Sequence, residues 1–223
     1  MTDDAPPPLE TPPSVETRPA DATPSPTPRP PRVVLACAVA ALALLALDLG
    51  TKHWALENLS TARVGALPVV CEEIDGVRRT QRLATEPMPL IGEIFSLEYA
   101  ENCSAAFGLA RQLPAPIRRA VLATFAVVAV IVLFVALARG FGNGVYVWAV
   151  PFVAAGALGN MIDRVRLGYV VDFLHVQYRP WDFDYPVFNV ADIVIAVGVT
   201  LLVLSSFGAS RAPAPASAPP APG

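Results

Sequence analysis

Four apolar runs govern what this chain can fold into. Val33 to Leu47 is fifteen residues without a polar side chain. Carried through Asp48 to Lys52 it reaches about twenty, enough to cross the hydrocarbon core of a bilayer as a helix. Ala120 to Ala138 is a second run of nineteen residues, interrupted by Thr124 alone, and Val145 to Ile162 and Val190 to Phe207 are the third and fourth. The third carries Ala155 and Gly159 at the small-xxx-small spacing that lets helices pack closely in a membrane. It also carries Pro151, which predicts a kink. Arg139 to Gly144 reads as a tight turn between the second and third runs. With 54% hydrophobic and 16% charged residues, the composition is that of a small membrane protein rather than a soluble domain.

Within this apolar background a few ionisable residues stand out. Asp48, Asp163, Asp172 and Asp192 all sit in or against apolar sequence, where a charge is expensive and is a functional hypothesis by default. Asn160, Asp163 and Arg164 are spaced i, i+3, i+4, so a helix puts them on one face, and Asn189 and Asp192 repeat the i, i+3 spacing. Asp48 and Lys52 are i, i+4 and share a face near the far end of the first run. That pair reads either as a local ion pair at the membrane interface or as a polar shelf beside the site. The net charge of −3 gives no sign of nucleic-acid binding. Three cysteines form no CxxC or zinc spacing, and His53 and His175 stand alone in the sequence, so neither a metal nor another cofactor is expected.

Five segments resemble the bacterial lipoprotein signal peptidases (signal peptidase II), which are membrane aspartic proteases. They are Asp48-Leu49-Gly50-Thr51-Lys52, Asn102-Cys103-Ser104-Ala105-Ala106-Phe107-Gly108, Gly159-Asn160-Met161-Ile162-Asp163-Arg164, Gly168-Tyr169-Val170-Val171-Asp172-Phe173 and Phe188-Asn189-Val190-Ala191-Asp192. They occur in the family's order and span roughly residues 33–208, leaving out an insert near 60–88. Ser104 departs from the family's usual Gly. The resemblance implies an all-α membrane protein with four transmembrane helices, at about 33–52, 118–138, 145–162 and 188–208. It also implies a small extracytoplasmic β-rich cradle, here with the insert at about 57–112. It further implies that both termini lie in the cytoplasm and the aspartates near the outer leaflet of the bacterial inner membrane. Charge alone does not orient the chain: Arg29, Arg32, Arg139 and Arg211 mark one side, but Arg118 and Arg119 flank a span on the other.

Outside the runs the sequence is less explicit. Residues 1–31 and 209–223 are Pro-rich and are expected to be disordered tails. The acidic, polar start does not fit a cleavable signal peptide. Residues 67–83 suit a hairpin with Asp75-Gly76 at its turn. If this region is extracytoplasmic, Cys71 and Cys103 can tie the insert to the cradle as a disulfide or remain two small free residues, whereas Cys37 reads as a core residue. Residues 165–187, with Tyr178, Trp181, Phe183 and Tyr185, read as a loop that is an interfacial aromatic belt, a lid over the aspartates at 174–187, or both.

No Ser-His-Asp set or Cys-His pair is evident, so two carboxylates in a water-poor site are the chemistry to expect. Asp192 follows a turn and starts a helix. Its partner is Asp163 or Asp172: Asp163 adjoins Arg164, which would keep it ionised, whereas Asp172 lies among Val170, Val171 and Phe173, an apolar setting that raises a carboxyl pKa. The family's catalytic aspartates also fall at these two motifs, so Asp172 and Asp192 are the expected pair. Asn160, Asp163, Arg164 and Asn189 then orient them, and Asn102, Asp48 and Lys52 lie at the periphery. The implied substrate is a prolipoprotein whose Cys carries diacylglycerol, cut just before that Cys. Membrane lipid is the other partner, and a monomer is expected. A proton- or ion-coupled transporter is the competing reading and a non-catalytic membrane scaffold a third. Acids clustered at helix ends on one side, with no internal repeat, weigh against a transporter.

Overall fold

The computed structural model describes residues 27–71, 73–74, 77–103 and 113–208. Most of the N-terminal tail, the C-terminal tail, the Asp75-Gly76 turn and Ser104 to Gly108 lie outside the described residues. Each apolar run forms a helix. α1 spans Pro31–Asn58, α2 Ala115–Ala138, α3 Gly144–Arg166 and α4 Val190–Gly208. All four are long and apolar enough to cross a membrane. Their outward surface is apolar too: Leu42 on α1, Phe125 on α2, Trp148 on α3 and Phe207 on α4 are each more than half exposed. Four neighbouring helices that point such side chains away from one another need a lipid surround. α1 and α3 run several residues further than the apolar runs, because Thr51 to Asn58 and Asp163 to Arg166 continue the helical backbone beyond the last apolar stretch.

Local chemistry explains the helix ends. Prolines stand in the first turns of α1 and α2, where the missing N–H removes nothing. Asn143 caps α3, its Oδ1 accepting from the N–H groups of Val145 and Tyr146 at 3.0 and 3.2 Å. Arg29 donates to the carbonyls of Phe141 and Gly142, and Asn143 Nδ2 donates to the Ser205 carbonyl. The start of α1, the α2–α3 turn and the end of α4 therefore meet at one end of the bundle. α3 runs through Pro151 as a single helix and is the most buried of the four.

The opposite end carries the sheets. β5 (Met88–Ile91), β6 (Phe95–Asn102), β7 (Val170–Tyr178) and β8 (Phe183–Phe188) form one antiparallel sheet in that order. Two shorter antiparallel pairs build an arm ahead of it. β1 (Ser60–Ala62) pairs with β4 (Arg82–Ala84), and β2 (Glu73–Ile74) pairs with β3 (Val77–Arg78) on either side of the expected turn. These small antiparallel sheets are the β-rich part expected beside the four helices, so the chain is not purely α. One expectation is corrected. Residues 170–188 are not a free loop: β7 pairs with β6 from Phe95↔Val176 to Asn102↔Val170 and with β8 from Leu174↔Phe188 to Tyr178↔Phe183. The cradle is thus closed by two segments more than sixty residues apart in sequence. Along β7, strand geometry puts Asp172, Leu174, Val176 and Tyr178 on one face and Val171, Phe173 and His175 on the other.

Glycines let α3 and its neighbours pack closely. A methyl group at Gly156 would meet the Ala191 carbonyl and Ile195, and one at Gly159 would run into the Asp48 carboxylate. The small residues expected to serve helix packing therefore also make room for a buried acid from α1. Gly159→Ala is expected to destabilise the protein by about 1–3 kcal/mol through overpacking. Gly50→Ala, on α1 with open space around the added methyl, is expected to be neutral or stabilising by roughly 0.5–1 kcal/mol. Thermal unfolding in detergent of both variants beside wild type checks the pair, and equal midpoints for the two would contradict it.

Candidate active site

The polar residues that the sequence singles out converge where the helix bundle meets the sheet. α1 supplies Asp48 and Lys52, α3 supplies Asn160, Asp163 and Arg164, and the start of α4 supplies Asn189 and Asp192. β6 and β7 supply Asn102 and Asp172.

Lys52 lies at the centre of this cluster, not at its rim, and is 2% exposed. Its Nζ is 2.9 Å from Asp48 Oδ2 and 3.3 Å from Asp163 Oδ2, and it donates to Asn160 Oδ1 at 2.8 Å. The cation that pairs with Asp163 is therefore Lys52, a partner that sequence proximity to Arg164 does not suggest. The two acids each hold one further group. Asp48 Oδ1 accepts from the Ala191 N–H at 2.8 Å, and Asp163 Oδ2 accepts from the Val171 N–H at 3.1 Å. Ala191 immediately precedes Asp192 and Val171 immediately precedes Asp172. One lysine thus joins two carboxylates, each fixing the backbone next to one of the two remaining aspartates.

Those two aspartates are linked by asparagine amides. Asn189 Nδ2 donates to Asp172 Oδ1 at 2.6 Å and to Asn160 Oδ1 at 3.2 Å, while Asn160 Nδ2 donates to Asp192 Oδ1 at 2.9 Å. The i, i+3 spacing of Asn189 and Asp192 is a capping box. Asn189 Oδ1 accepts from the Asp192 N–H at 3.0 Å, and Asp192 Oδ2 accepts from the Asn189 N–H at 3.1 Å. The box starts α4 and fixes the Asp192 carboxylate at a helix N-terminus, where an anion is favoured. Arg164 donates to the Asn160 carbonyl at 3.2 Å, and its charge acts on Asp172, Asp192 and Asp163.

The two carboxylates differ in environment. Asp172 is 1% exposed, whereas Asp192 is partly open. Burial first, and the Asp192 charge second, push the Asp172 carboxyl up to about 7, against hydrogen bonds from Asn102 and Asn189 that favour its ionised form. Asp172 therefore exchanges its proton near neutral pH. His175 is not alone as its sequence setting implies: its Nε2 is 2.7 Å from Asp184 and its Nδ1 3.4 Å from Glu98. It lies on the sheet face opposite Asp172 and takes no part in the pair.

The family model for signal peptidase (SPase) II matches residues 40–208, which include every residue of this cluster. The chain belongs to the signal peptidase II family. The lipoprotein signal peptidase of Streptococcus thermophilus is 33% identical over 174 residues, covering 76% of this chain and 91% of that one. The lipoprotein signal peptidase of an Anaeromyxobacter species is 36% identical over 170 residues, covering 72% and 79%. A bacterial membrane enzyme solved in meso at 2.3 Å resolution shares the fold, with a TM-score of 0.59 and 22% identity over 82% of this chain and 94% of that one. As a signal peptidase II with four membrane-crossing helices, this is a bacterial membrane protein and a peptidase, and the transporter reading is set aside.

In this signal peptidase II the ion cluster is a structural requirement. Lys52→Met leaves Asp48 and Asp163 buried without their cation, and such a loss costs about 3–5 kcal/mol. Lys52→Met in an Asp48→Asn, Asp163→Asn background is expected to recover most of that loss. Thermal unfolding of the single and triple variants measures both, and a single variant as stable as wild type would refute the coupling.

Proposed function

We propose that this chain is an aspartic endopeptidase that removes signal peptides from diacylglyceryl-modified prolipoproteins, cutting just before the lipidated Cys. The observation that carries the reading is the amide-bridged pair of Asp172 and Asp192, one buried and one partly open. The names of the relatives above support the substrate class. A lipid-anchored peptide brings its scissile bond to bilayer depth, at the end of the bundle where the two carboxyls lie.

The chemistry follows from the inequality of the pair. Asp192 receives N–H groups from Asn160 and from the Asn189 backbone, which suit an ionised carboxylate. It takes a proton from a water that attacks the scissile carbonyl. Asp172, in the protonated form that it keeps up to about pH 7, donates its hydrogen bond to the carbonyl oxygen as negative charge develops there. Collapse of the tetrahedral intermediate expels the amine, which takes a proton from the pair and leaves one proton shared between the carboxyls for the next cycle. Asn160, Asn189 and Asn102 orient the pair, Arg164 balances its charge, and Lys52, Asp48 and Asp163 hold its backbone. Leu174, Val176 and Tyr178 continue the Asp172 face of β7 outward. Cross-strand partners Leu97, Phe188, Phe95 and Tyr185 flank them, giving the substrate an apolar bed. The hairpin that follows, with Trp181, Phe183 and Tyr185 exposed, serves as interfacial belt and as lid. The enzyme works as a monomer in the inner membrane, with its termini in the cytoplasm, its site toward the outer leaflet, and no cofactor.

Cleavage of a diacylglyceryl-modified prolipoprotein peptide by purified protein in detergent tests this. Asp172→Asn and Asp192→Asn are each expected to lose at least about 100- to 10,000-fold in kcat with unchanged unfolding midpoints, and EDTA is expected to leave wild type unaffected. If Asp163→Asn abolishes turnover while Asp172→Asn retains it, the pair is misassigned. Because the mechanism needs one proton on the pair and Asp172 releases its proton near pH 7, kcat is expected to fall as pH rises through about 7. A profile still climbing at pH 9 would contradict a shared-proton mechanism.

A further inference from the structure

Among the described residues, none of the arm at 60–88 belongs to the cluster described above, yet the arm grips the strands that form it. Cys71, two residues before β2, is joined by a disulfide to Cys103, and Cys103 directly follows Asn102, which hydrogen-bonds Asp172. Val70 and the sulfur of Cys71 also rest against Gly168. A methyl group at Gly168 would meet Val70 Cγ1 at 2.8 Å, and Cys71 Sγ lies 3.5 Å from the Gly168 carbonyl. Gly168 has φ +88, a left-handed turn that leads from α3 into β7 four residues before Asp172. Cys71 is itself left-handed, at φ 62, a conformation that a non-glycine residue keeps only under tertiary constraint.

A second anchor lies one residue from Asn102 on its other side. Glu101 is 8% exposed and accepts from the N–H groups of Gln81 and Arg82, both at 2.9 Å, on the returning strand of the arm. It also accepts from the Tyr99 hydroxyl at 2.9 Å, which lies 3.1 Å from that of Tyr169, between Gly168 and β7. Arg82 fastens the arm's base, donating to Ser60 Oγ at 2.7 Å and to the Leu56 carbonyl at 3.1 Å. Asn102 is thus flanked in sequence by two residues that both attach to the arm. Its strand partner Val170 follows directly on the Gly168–Tyr169 turn that the arm covers.

We propose that this arm, locked by the Cys71–Cys103 disulfide, is a positioning buttress for the active site: it fixes the end of β6 that carries Asn102 and the turn that feeds β7, and so sets the placement of Asp172. Cys71 and Cys103 are positioning residues, since neither touches Asp172. The inference rests on the reading of Asp172 and Asp192 as the catalytic pair. In that reading the arm faces the outer side of the membrane, a compartment in which disulfides persist.

The test uses the full-length chain carrying Cys37→Ala, which removes the free thiol, so that every thiol counted comes from this pair. Oxidised protein, protein reduced with a phosphine, and the Cys71→Ser/Cys103→Ser variant are compared for kcat, KM and the pH profile of kcat. Infrared titration of the Asp172 carboxyl, read as the difference from Asp172→Asn, is recorded in parallel. Release of the buttress is expected to lower kcat roughly 10- to 100-fold with KM changed less than about twofold, as for a small misplacement of a reacting group. The alkaline limb should move to higher pH, because the Asn102 hydrogen bond that favours the ionised carboxyl is weakened. Glu101→Gln, which loosens the second anchor, should act in the same direction and decides the matter if the double serine variant does not fold. Unchanged kcat and pH profile after the thiol count has risen by two would overturn the proposal, as would a drop in unfolding midpoint or a rise in KM alone. If the oxidised protein does not cleave the lipopeptide, the peptidase reading fails by itself, and the infrared titration still reports whether the arm places Asp172.

Discussion

One buried ammonium group organises the functional end of this protein. Lys52 is enclosed by Asp48, Asp163 and Asn160. Desolvating these charges is unfavourable, so they hold together only while the cluster is complete. That gives the cluster leverage. Asp48 reaches across from α1 to the first turn of α4, Asp163 reaches from α3 to the first residues of β7, and neither bond survives displacement of its carboxylate. Three helices and a strand are registered against one another by a single cation.

The consequence is a division of labour among four aspartates that look alike in sequence. Two are compensated by Lys52 and bind backbone. Two are left to one another, bridged by asparagine amides whose N–H groups reach each carboxyl from one side. The Asp172 carboxyl is pushed up first by its burial and second by the like charge of Asp192. A second cation in direct contact with it would remove that effect. Placing the lysine one residue away along the backbone, through Val171 and Ala191, lets the site have rigidity without neutralising the pair.

The same economy appears in the sheet. β7 serves at once as the inner strand of the cradle, the carrier of Asp172 and the partner of the β6 end that carries Asn102. The start of this strand is held from two sides: Asp163 binds the Val171 N–H, and the arm lies against Gly168 and is bonded to Cys103.

The sequence by itself determined the four helices, since runs of that length and apolarity have no other stable form in a bilayer. It also determined the chemical cast of the site. The helical spacing of Asn160, Asp163 and Arg164 and the i, i+3 box of Asn189 and Asp192 are local, so they are readable from a single element. Tertiary structure alone decided which charges meet. Lys52 and Asp163 are more than one hundred residues apart, so adjacency offered Arg164, whose charge also acts on Asp163, and the lysine 3.3 Å from Asp163 read as peripheral. The pairing of β7 with β6 was hidden for the same reason: a strand whose partner lies beyond two membrane-crossing helices leaves only a weak two-residue alternation in its own sequence, and here an acid at Asp172 breaks its apolar face. The disulfide between Cys71 and Cys103 belongs to the same class, because proximity across thirty-two residues is a property of the folded sheet and arm and not of the spacing.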